Sequence, residues 1–292
     1  MYFYNIGIWA AIPFAAKAGG VAGYFSRGFS SNVVYKWTFP TDSVSTTTSA
    51  PASMTEHAGF SNPAVAGYFS KGDGDPVYKW SFPSDSVSST TSAPADLKGH
   101  AGFSNPEVAG YFSQGDEEDF VYKWTFPTDS VSTTTSAPDY MLDHAGFSDP
   151  AVAGYFSKGD SKADIFKWTF PTDSVSTTTS SPGGLGRNAG FADPAVAGYF
   201  SRGGSSKVYK WSFPSDSVTT TTSSLASMSA HAGFANPGAA GYFSHGSVSL
   251  PSSNTSGATT SSVYKWSFPS DTVSLTTSSP VQLQKNAGFA DA

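Results

Sequence analysis

Four short stretches of alternating aromatic and polar residues recur in the same order along the chain. In the copy that begins at His57 they read HAGFS, VAGYFS, VYKWSF and SVSSTT. In VYKWSF, the Tyr, Trp and Phe side chains fall on one face of an extended chain and Val, Lys and Ser on the other. SVSSTT is polar and β-branched, as expected of a strand at a wet outer edge. Each copy therefore predicts four short β-strands.

The segments between these stretches carry turn signals. An Asn-Pro or Asp-Pro pair separates the first two stretches in most copies, and FPSD or FPTD separates the last two. Pro presets the first corner of a turn, and Ser, Thr and Asp can bond their own backbone there. The 3.6-residue period of an amphipathic helix is absent, so we predict an all-β protein.

The repeat period indicates the architecture. The Gly of AGYFS recurs six times, every 43 or 44 residues, between Gly23 and Gly241. The Trp of KW also recurs six times, and only its last interval is long, 55 residues, because of a Ser/Thr/Gly-rich insertion at Ser247–Ser262. Four strands in about 44 residues, repeated six times, predict a six-bladed β-propeller of four-stranded blades.

The two ends of the sequence complement each other. The first copy starts at GGVAGYFS without a HAGF stretch before it, and the sequence ends with NAGFADA. Pairing of the N- and C-terminal segments would complete the first blade and leave no free sheet edge. We predict an N-terminal arm at 1–18 and a propeller at 19–292. The predicted blades are 19–51 plus 281–292, then 57–94, 100–138, 144–182, 188–224 and 231–280.

The repeat HAGFSNPAVAGYFSKG…VYKWSFPSDSV resembles a kelch-type blade. It is more similar to the AGY-aromatic-x-G repeats of tail-fibre-like and other structural proteins of bacteriophages, cyanophages especially. It departs from kelch because most second stretches end in one Gly, with Gly203-Gly204 as the exception, and because Trp lies within the third stretch. The resemblance implies a propeller and a place in a virion, although propellers serve many functions.

Sorting the connections by face gives a second prediction. Turns between the first and second strands and between the third and fourth strands share one face, and their sequences hardly vary. The remaining connections share the other face and vary widely, as in GDGDP, GDEEDF and GDSKAD, or ASMTE, DYMLD, GGLGR and VQLQK. Loops on a rigid scaffold commonly carry binding. Either the constant face docks on an assembly and the variable face points outward, or the constant face holds six equal pockets.

Composition narrows the choice of partners. The chain has 292 residues, a net charge of −6, only three Arg and no Cys. Charged residues make up 13% and aromatic residues 15%, which favours a packed β protein over a disordered one. Without a basic stripe we expect no nucleic-acid partner. Without a long apolar run we expect no membrane insertion.

Three sets of repeated polar residues are candidates for chemistry. The turn aspartates could cap their own turns or, less simply, contact a glycan or a protein partner: Asp42, Asp85, Asp129, Asp173, Asp216 and Asp271. The lysines of the third stretch are expected to lock one blade to a carboxylate or carbonyl of the next: Lys36, Lys79, Lys123, Lys167, Lys210 and Lys265. A third set precedes AGF and should ring one mouth of the central channel: His57, His100, His144, Asn188, His231 and Asn286. Asn is a poor ligand for the metals that His binds, so we expect structural hydrogen bonds there and no metal.

The N-terminal arm is the remaining candidate. Its first 16 residues carry no charge, and five of them are aromatic: Tyr2, Phe3, Tyr4, Trp9 and Phe14. Such a segment has to bury itself, either on a partner or on its own propeller. We favour a docking arm that fixes the propeller to a larger structure.

These observations lead to three functional hypotheses. The sequence contains no recognisable catalytic motif, phosphate-binding loop or zinc pattern, so we expect no enzyme and no cofactor. The favoured hypothesis is a virion adhesin or fibre-like propeller, which binds other structural proteins and a host-surface glycan or protein. The second is a lectin-like module, free or secreted into the extracellular space, whose six weak sites add through multivalency. The third is a kelch-like interaction scaffold. Self-association into a homo-oligomer stays open.

Overall fold

The computed structural model of the chain is a six-bladed β-propeller, which confirms the fold predicted from the repeats. It describes residues 22–28, 30–39, 41–82, 84–106, 108–126, 128–170, 172–194, 196–213, 215–246, 261–283 and 285–291. Within these ranges the chain forms strands and no helix. The arm at 1–18 and most of the Ser247–Ser262 insertion, both singled out above, lie outside the described residues.

Each blade is an antiparallel sheet of four strands, which are arranged in order from the central axis outward. The innermost strands are β4 (Gly59–Asn62), β8 (Gly102–Asn105), β12 (Gly146–Asp149), β16 (Gly190–Asp193), β20 (Gly233–Asn236) and β24 (Gly288–Ala290). The second strands are β1 (Ala22–Ser26), β5 (Ala66–Gly72), β9 (Ala109–Ser113), β13 (Ala153–Ser157), β17 (Ala197–Ser201) and β21 (Ala240–Ser244). The third strands are β2 (Val34–Thr38), β6 (Gly74–Ser81), β10 (Val121–Thr125), β14 (Ile165–Thr169), β18 (Val208–Ser212) and β22 (Val263–Ser267). The outer strands are β3 (Ser43–Thr46), β7 (Ser86–Ser89), β11 (Ser130–Thr133), β15 (Ser174–Thr177), β19 (Ser217–Thr220) and β23 (Thr272–Leu275).

The first blade is built from both ends of the sequence. Strand β24 pairs with β1 in the order β24-β1-β2-β3, with Tyr24 opposite Phe289. The Asp291 amide also donates to the Ala22 carbonyl at 3.0 Å. The C-terminal strand thus supplies the innermost position that the first repeat lacks, as the two incomplete end repeats predicted.

Aromatic side chains fill the spaces between neighbouring blades. Between the second and third blades, Phe60 and Tyr68 pack against Phe112, Trp124 and Phe126. All six Trp of the KW stretches are fully buried in such clusters, at 0% exposure. Burial of large aromatic rings in every inter-blade space is the main apolar contribution to the fold.

A glycine in each second strand makes room for a ring of the preceding blade. A Cβ built on Gly154 would lie 1.9 Å from the Phe103 ring, and one on Gly67 would lie 1.9 Å from the Phe289 ring. No side chain fits at these positions while the ring stays in place, which explains the Gly of AGYF.

The two faces of the propeller carry the connections as predicted. We call the face with the NP and FPSD-type turns the constant face and the opposite one the variable face. Strand β1 begins at Ala22, the equivalent of Ala66 and Ala109, and those residues follow the turns of the constant face. The chain therefore enters its first blade from the constant face.

Candidate binding site at the channel mouth

The innermost strands enclose a central cavity that opens on the variable face. Its volume is about 210 Å³, and it is lined by the four residues that lead into each innermost strand. These residues form four stacked rings of six, from the rim inward. The rim, which we call the mouth ring, consists of Glu56, Gly99, Asp143, Arg187, Ala230 and Lys285. Below it lie the His/Asn ring predicted from the sequence, a ring of alanines and a ring of glycines.

The main chain alone builds the mouth ring. All six residues have a positive φ, between 49° and 57°. Around the ring, backbone amides donate to the carbonyl of the preceding blade, as from Gly99 to Glu56 at 3.0 Å and from Asp143 to Gly99 at 2.8 Å. The same bond joins Ala230 to Arg187 at 3.0 Å. Because Gly, Ala and charged residues all take this conformation, the fold does not dictate the side chain.

Charge is distributed unevenly around the mouth ring. Going from blade to blade, Glu56, Gly99 and Asp143 form one arc, and Arg187, Ala230 and Lys285 form the other. One arc is therefore acidic and the opposite arc basic. Ion pairs close the two borders between the arcs: Arg187 Nε lies 3.5 Å from Asp143 Oδ2, and Lys285 Nζ contacts Glu56 Oε1.

Burial affects the Asp143 carboxyl of the acidic arc. The pKa of the Asp143 carboxyl lies above its ordinary value, because desolvation, helped by the Glu56 charge, outweighs the attraction of Arg187 and Lys285. The Arg187 side chain stays 67% exposed and that of Lys285 42% exposed. Asp143 thus keeps its ion pair against a desolvation cost, and the cationic groups reach solvent.

The second ring holds its place through hydrogen bonds between blades. The Nε2 atoms of the four histidines lie 2.6 to 2.7 Å from the Ser Oγ of the AGYFS stretch in the preceding blade, as in His57 with Ser26. Asn188 donates to Ser157 Oγ at 3.0 Å, and Asn286 donates to Ser244 Oγ at 3.1 Å. His and Asn therefore perform the same structural task.

The four histidines of this ring are neutral. Burial lowers the pKa of His57, His100, His144 and His231 to about 3. Their Nδ1 atoms are buried and lack a hydrogen bond of good geometry. Neutral rings of this kind add polarity to the cavity wall and no net charge.

The two inner rings narrow the cavity. The alanines are only 2 to 6% exposed. The glycines bring neighbouring innermost strands backbone to backbone: a Cβ on Gly146 would lie 2.5 Å from the Gly102 carbonyl oxygen. The cavity is therefore a recess with a charged rim and a narrow base that carries no charged side chain.

The six turn aspartates lie elsewhere, on the constant face, and each joins two blades. One carboxylate oxygen accepts a Tyr hydroxyl of the preceding blade at 2.6 to 2.8 Å. The other accepts the Lys Nζ of that blade at 2.6 to 2.8 Å. Asp129, for example, holds Tyr68 and Lys79. We call this arrangement the Asp latch; the lysines lock neighbouring blades as predicted.

The hydrogen bonds and ion pair of the latch lower the carboxyl pKa of two of the aspartates, Asp42 and Asp129. At Asp129 burial alone would raise the carboxyl pKa, but donation from Lys79, Tyr68 and Trp124 outweighs it, and the pKa is lowered. Asp42 shows the same lowered pKa, with Lys265, Tyr242 and Trp37 as donors. A glycan or partner contact at these aspartates, which stays a prediction, would compete with donors that already occupy both oxygens.

Replacement of one latch carboxylate should destabilise the propeller. We expect Asp129→Ala to lower the free energy of unfolding by about 2 to 3 kcal/mol, because Tyr68 and Lys79 lose their partner in a half-buried site. Urea denaturation measures the change. Asp116→Ala is the matched control, since Asp116 is exposed and has φ 52° against 54° for Asp129. Equal effects of the two substitutions would contradict a latch role.

The described part of the chain offers little for metal chemistry. Among those residues, no three or more His, Asp or Glu side chains are grouped so as to hold a metal ion. No helix there could cross a membrane.

Comparison of the sequence with protein-family models and with curated proteins finds no match. The kelch-like and phage-type resemblance therefore stays a resemblance of the repeat.

Proposed function

We propose that this chain is a non-enzymatic attachment propeller, which docks on a larger assembly through its N-terminal arm and contacts a host surface with its variable face. The observation that most supports this proposal is that the two faces of the propeller differ. The chain enters the first blade at Ala22 on the constant face, opposite the variable loops and the channel mouth. An anchor at one face would leave the other free to bind.

The roles of the repeated polar side chains on the two faces favour the same assignment. On the constant face, the six Asp latches use the repeated carboxylates to join blades. On the variable face, the mouth ring surrounds a recess with side chains that the backbone does not require. Binding sites are concave and hold a few convergent polar groups, and the mouth fits that description.

A virion, such as a phage tail or fibre, is the assembly that the repeat resemblance favours, with other structural proteins as the docking partners. The lectin-like module and the interaction scaffold stay as alternatives. They differ from the favoured proposal in a simple respect, because neither requires the aromatic arm for assembly.

Deletion of residues 1–16 tests the proposal. We expect a folded propeller with unchanged thermal unfolding that no longer joins the assembly, because the five aromatics of the arm provide the contact. The control replaces residues 247–260, which connect Gly246 and Ser261 of the variable face, with a short Gly/Ser linker and should assemble normally. Assembly of the arm deletion at the normal level would contradict the docking role.

A further inference from the structure

We propose that the mouth ring binds a small zwitterion, a molecule whose ammonium group and carboxylate or phosphate group are separated by a few bonds. This inference rests on the proposed function, since it names the chemistry that the variable face recognises. The ammonium group would meet Glu56 and Asp143, and the anionic group would meet Arg187 and Lys285.

The order of charges around the ring is the first argument. Both acidic residues lie on one arc and both basic residues on the opposite arc, separated within each arc only by Gly99 or Ala230. Alternating charges would cancel across a recess of this size. Segregated charges instead produce a field directed across the mouth, and low-dielectric walls strengthen it. A ligand with two opposite charges aligns with that field, whereas a singly charged ion gains from one arc and is repelled by the other.

The second argument is that these charges are not needed for folding. Backbone bonds form the ring, and Gly99 and Ala230 take the same conformation as their charged neighbours. Exposed ion pairs add little to stability, and the Arg187 side chain is 67% exposed. The raised pKa of Asp143 shows that its carboxylate is held at a cost. An incoming ammonium group would relieve that cost.

The recess also limits the size of the ligand. A volume of about 210 Å³ has room for several water molecules, which is the size range of a small amino acid. Glycine, β-alanine and 4-aminobutyrate fall in this range. Below the rim, the wall offers neutral His and Asn side chains and then Ala and Gly, so no further charge is available to the ligand. Recognition of both charges must therefore occur at the rim.

Calorimetric titration of the full chain tests the inference. The probes are glycine, β-alanine, 4-aminobutyrate and O-phosphoethanolamine, with ethylamine and acetate as the singly charged comparisons. We expect at least one zwitterion to bind at least tenfold more tightly than either comparison. The phosphate-bearing probe distinguishes a phosphate from a carboxylate ligand. Equal binding of acetate or ethylamine, or no heat from any zwitterion at millimolar concentration, would overturn the inference.

Charge variants separate recognition from folding. Neutralising the acidic arc with Glu56→Gln and Asp143→Asn, or the basic arc with Arg187→Gln and Lys285→Gln, should each weaken zwitterion binding at least tenfold. Reversing both arcs together, with Glu56→Lys, Asp143→Arg, Arg187→Asp and Lys285→Glu, keeps the ion pairs and should restore binding. Asp116→Asn, on the same face outside the mouth, should change nothing. Failure of the reversed variant to bind, while it unfolds like the wild type, would contradict recognition by charge order.

The two proposals can fail independently. If no zwitterion binds but the arm deletion still abolishes assembly, the zwitterion inference fails and the attachment role stands. If zwitterions bind and the arm deletion assembles normally, the site stands and the docking proposal fails.

Discussion

Replacing His57, His100, His144 and His231 together with Asn is expected to extend the stable range of the propeller by more than one pH unit on the acid side. The four rings are buried and neutral in the folded chain, with the pKa lowered to about 3. In the unfolded chain they take up protons near the ordinary value of about 6.5. Their contribution to stability is therefore complete above pH 6.5 and is lost as the pH falls from there toward 3.

The size of this effect follows from the number of rings. Each His removes about 1.4 kcal/mol of stability per pH unit below its unfolded pKa, so four rings remove about 5 kcal/mol by pH 5.5. That is comparable to the whole stability of many domains. Asn already occupies the equivalent positions 188 and 286, where it makes the same bond to Ser. The substitution should therefore be tolerated.

Burial also lowers the pKa of His245, which interacts with His231, but His245 is present in both the wild type and the Asn variant. Other charges near the rings act in a different pH range or more weakly. Glu56, Asp143, Arg187 and Lys285 face the His/Asn ring from the rim, and serine hydroxyls face it from the preceding blades. The carboxyl pKa of Asp42 and Asp129 is lowered, so the stability that these carboxylates contribute is lost only at still lower pH, when they take up protons. Urea denaturation between pH 4 and 7 measures the difference between the wild type and the Asn variant. Parallel curves of stability against pH would contradict the prediction.

Removal of residues 288–292 is expected to abolish cooperative folding. Strand β24 supplies the innermost strand of the first blade, and its Phe289 ring stacks on Tyr24 and lies 4.5 Å from Phe69, centroid to centroid. Without it, β1 keeps an unpaired edge, and the space over Gly67 is left empty. The ring of blades opens, and the inter-blade contacts of two blades are lost together.

Two point substitutions distinguish the loss of the closing strand β24 from the loss of one aromatic side chain. Phe289→Ala and Phe191→Ala remove equivalent side chains in the closing blade and in an internal blade, and each should cost about 4 kcal/mol. Thermal unfolding followed by circular dichroism should show one cooperative transition for both point variants and none for the truncation. A truncated chain that unfolds in one transition near the temperature of Phe191→Ala would contradict closure by β24.

The repeat pattern was sufficient to predict the architecture because each copy contains its own strands and turns. The six occurrences of AGYFS and of KW predicted the number of blades, and the incomplete first and last copies predicted the closure. The position of the His/Asn ring also followed, since residues that precede the innermost strand must lie near the axis. The lysine lock was predicted because both faces of a blade are covered by its neighbours.

The partners of the turn aspartates could not be predicted in the same way. The sequence favoured caps of their own turns, whereas Asp129 accepts bonds from Tyr68 and Lys79 of the preceding blade. That pairing depends on the stagger between neighbouring sheets, which no strand pattern encodes. The sequence did contain a signal for the mouth ring, because ASMTE, DYMLD, GGLGR and VQLQK all end in a charged residue. Only the positive φ and the bonds between blades bring those ends together.

Sedimentation of native source material on a density gradient, with mass spectrometry of each fraction, tests whether the chain is part of a larger assembly. The attachment role predicts that the chain travels with large particles, together with the structural proteins of the assembly. A chain that stays at the top of the gradient as a small soluble species would contradict it.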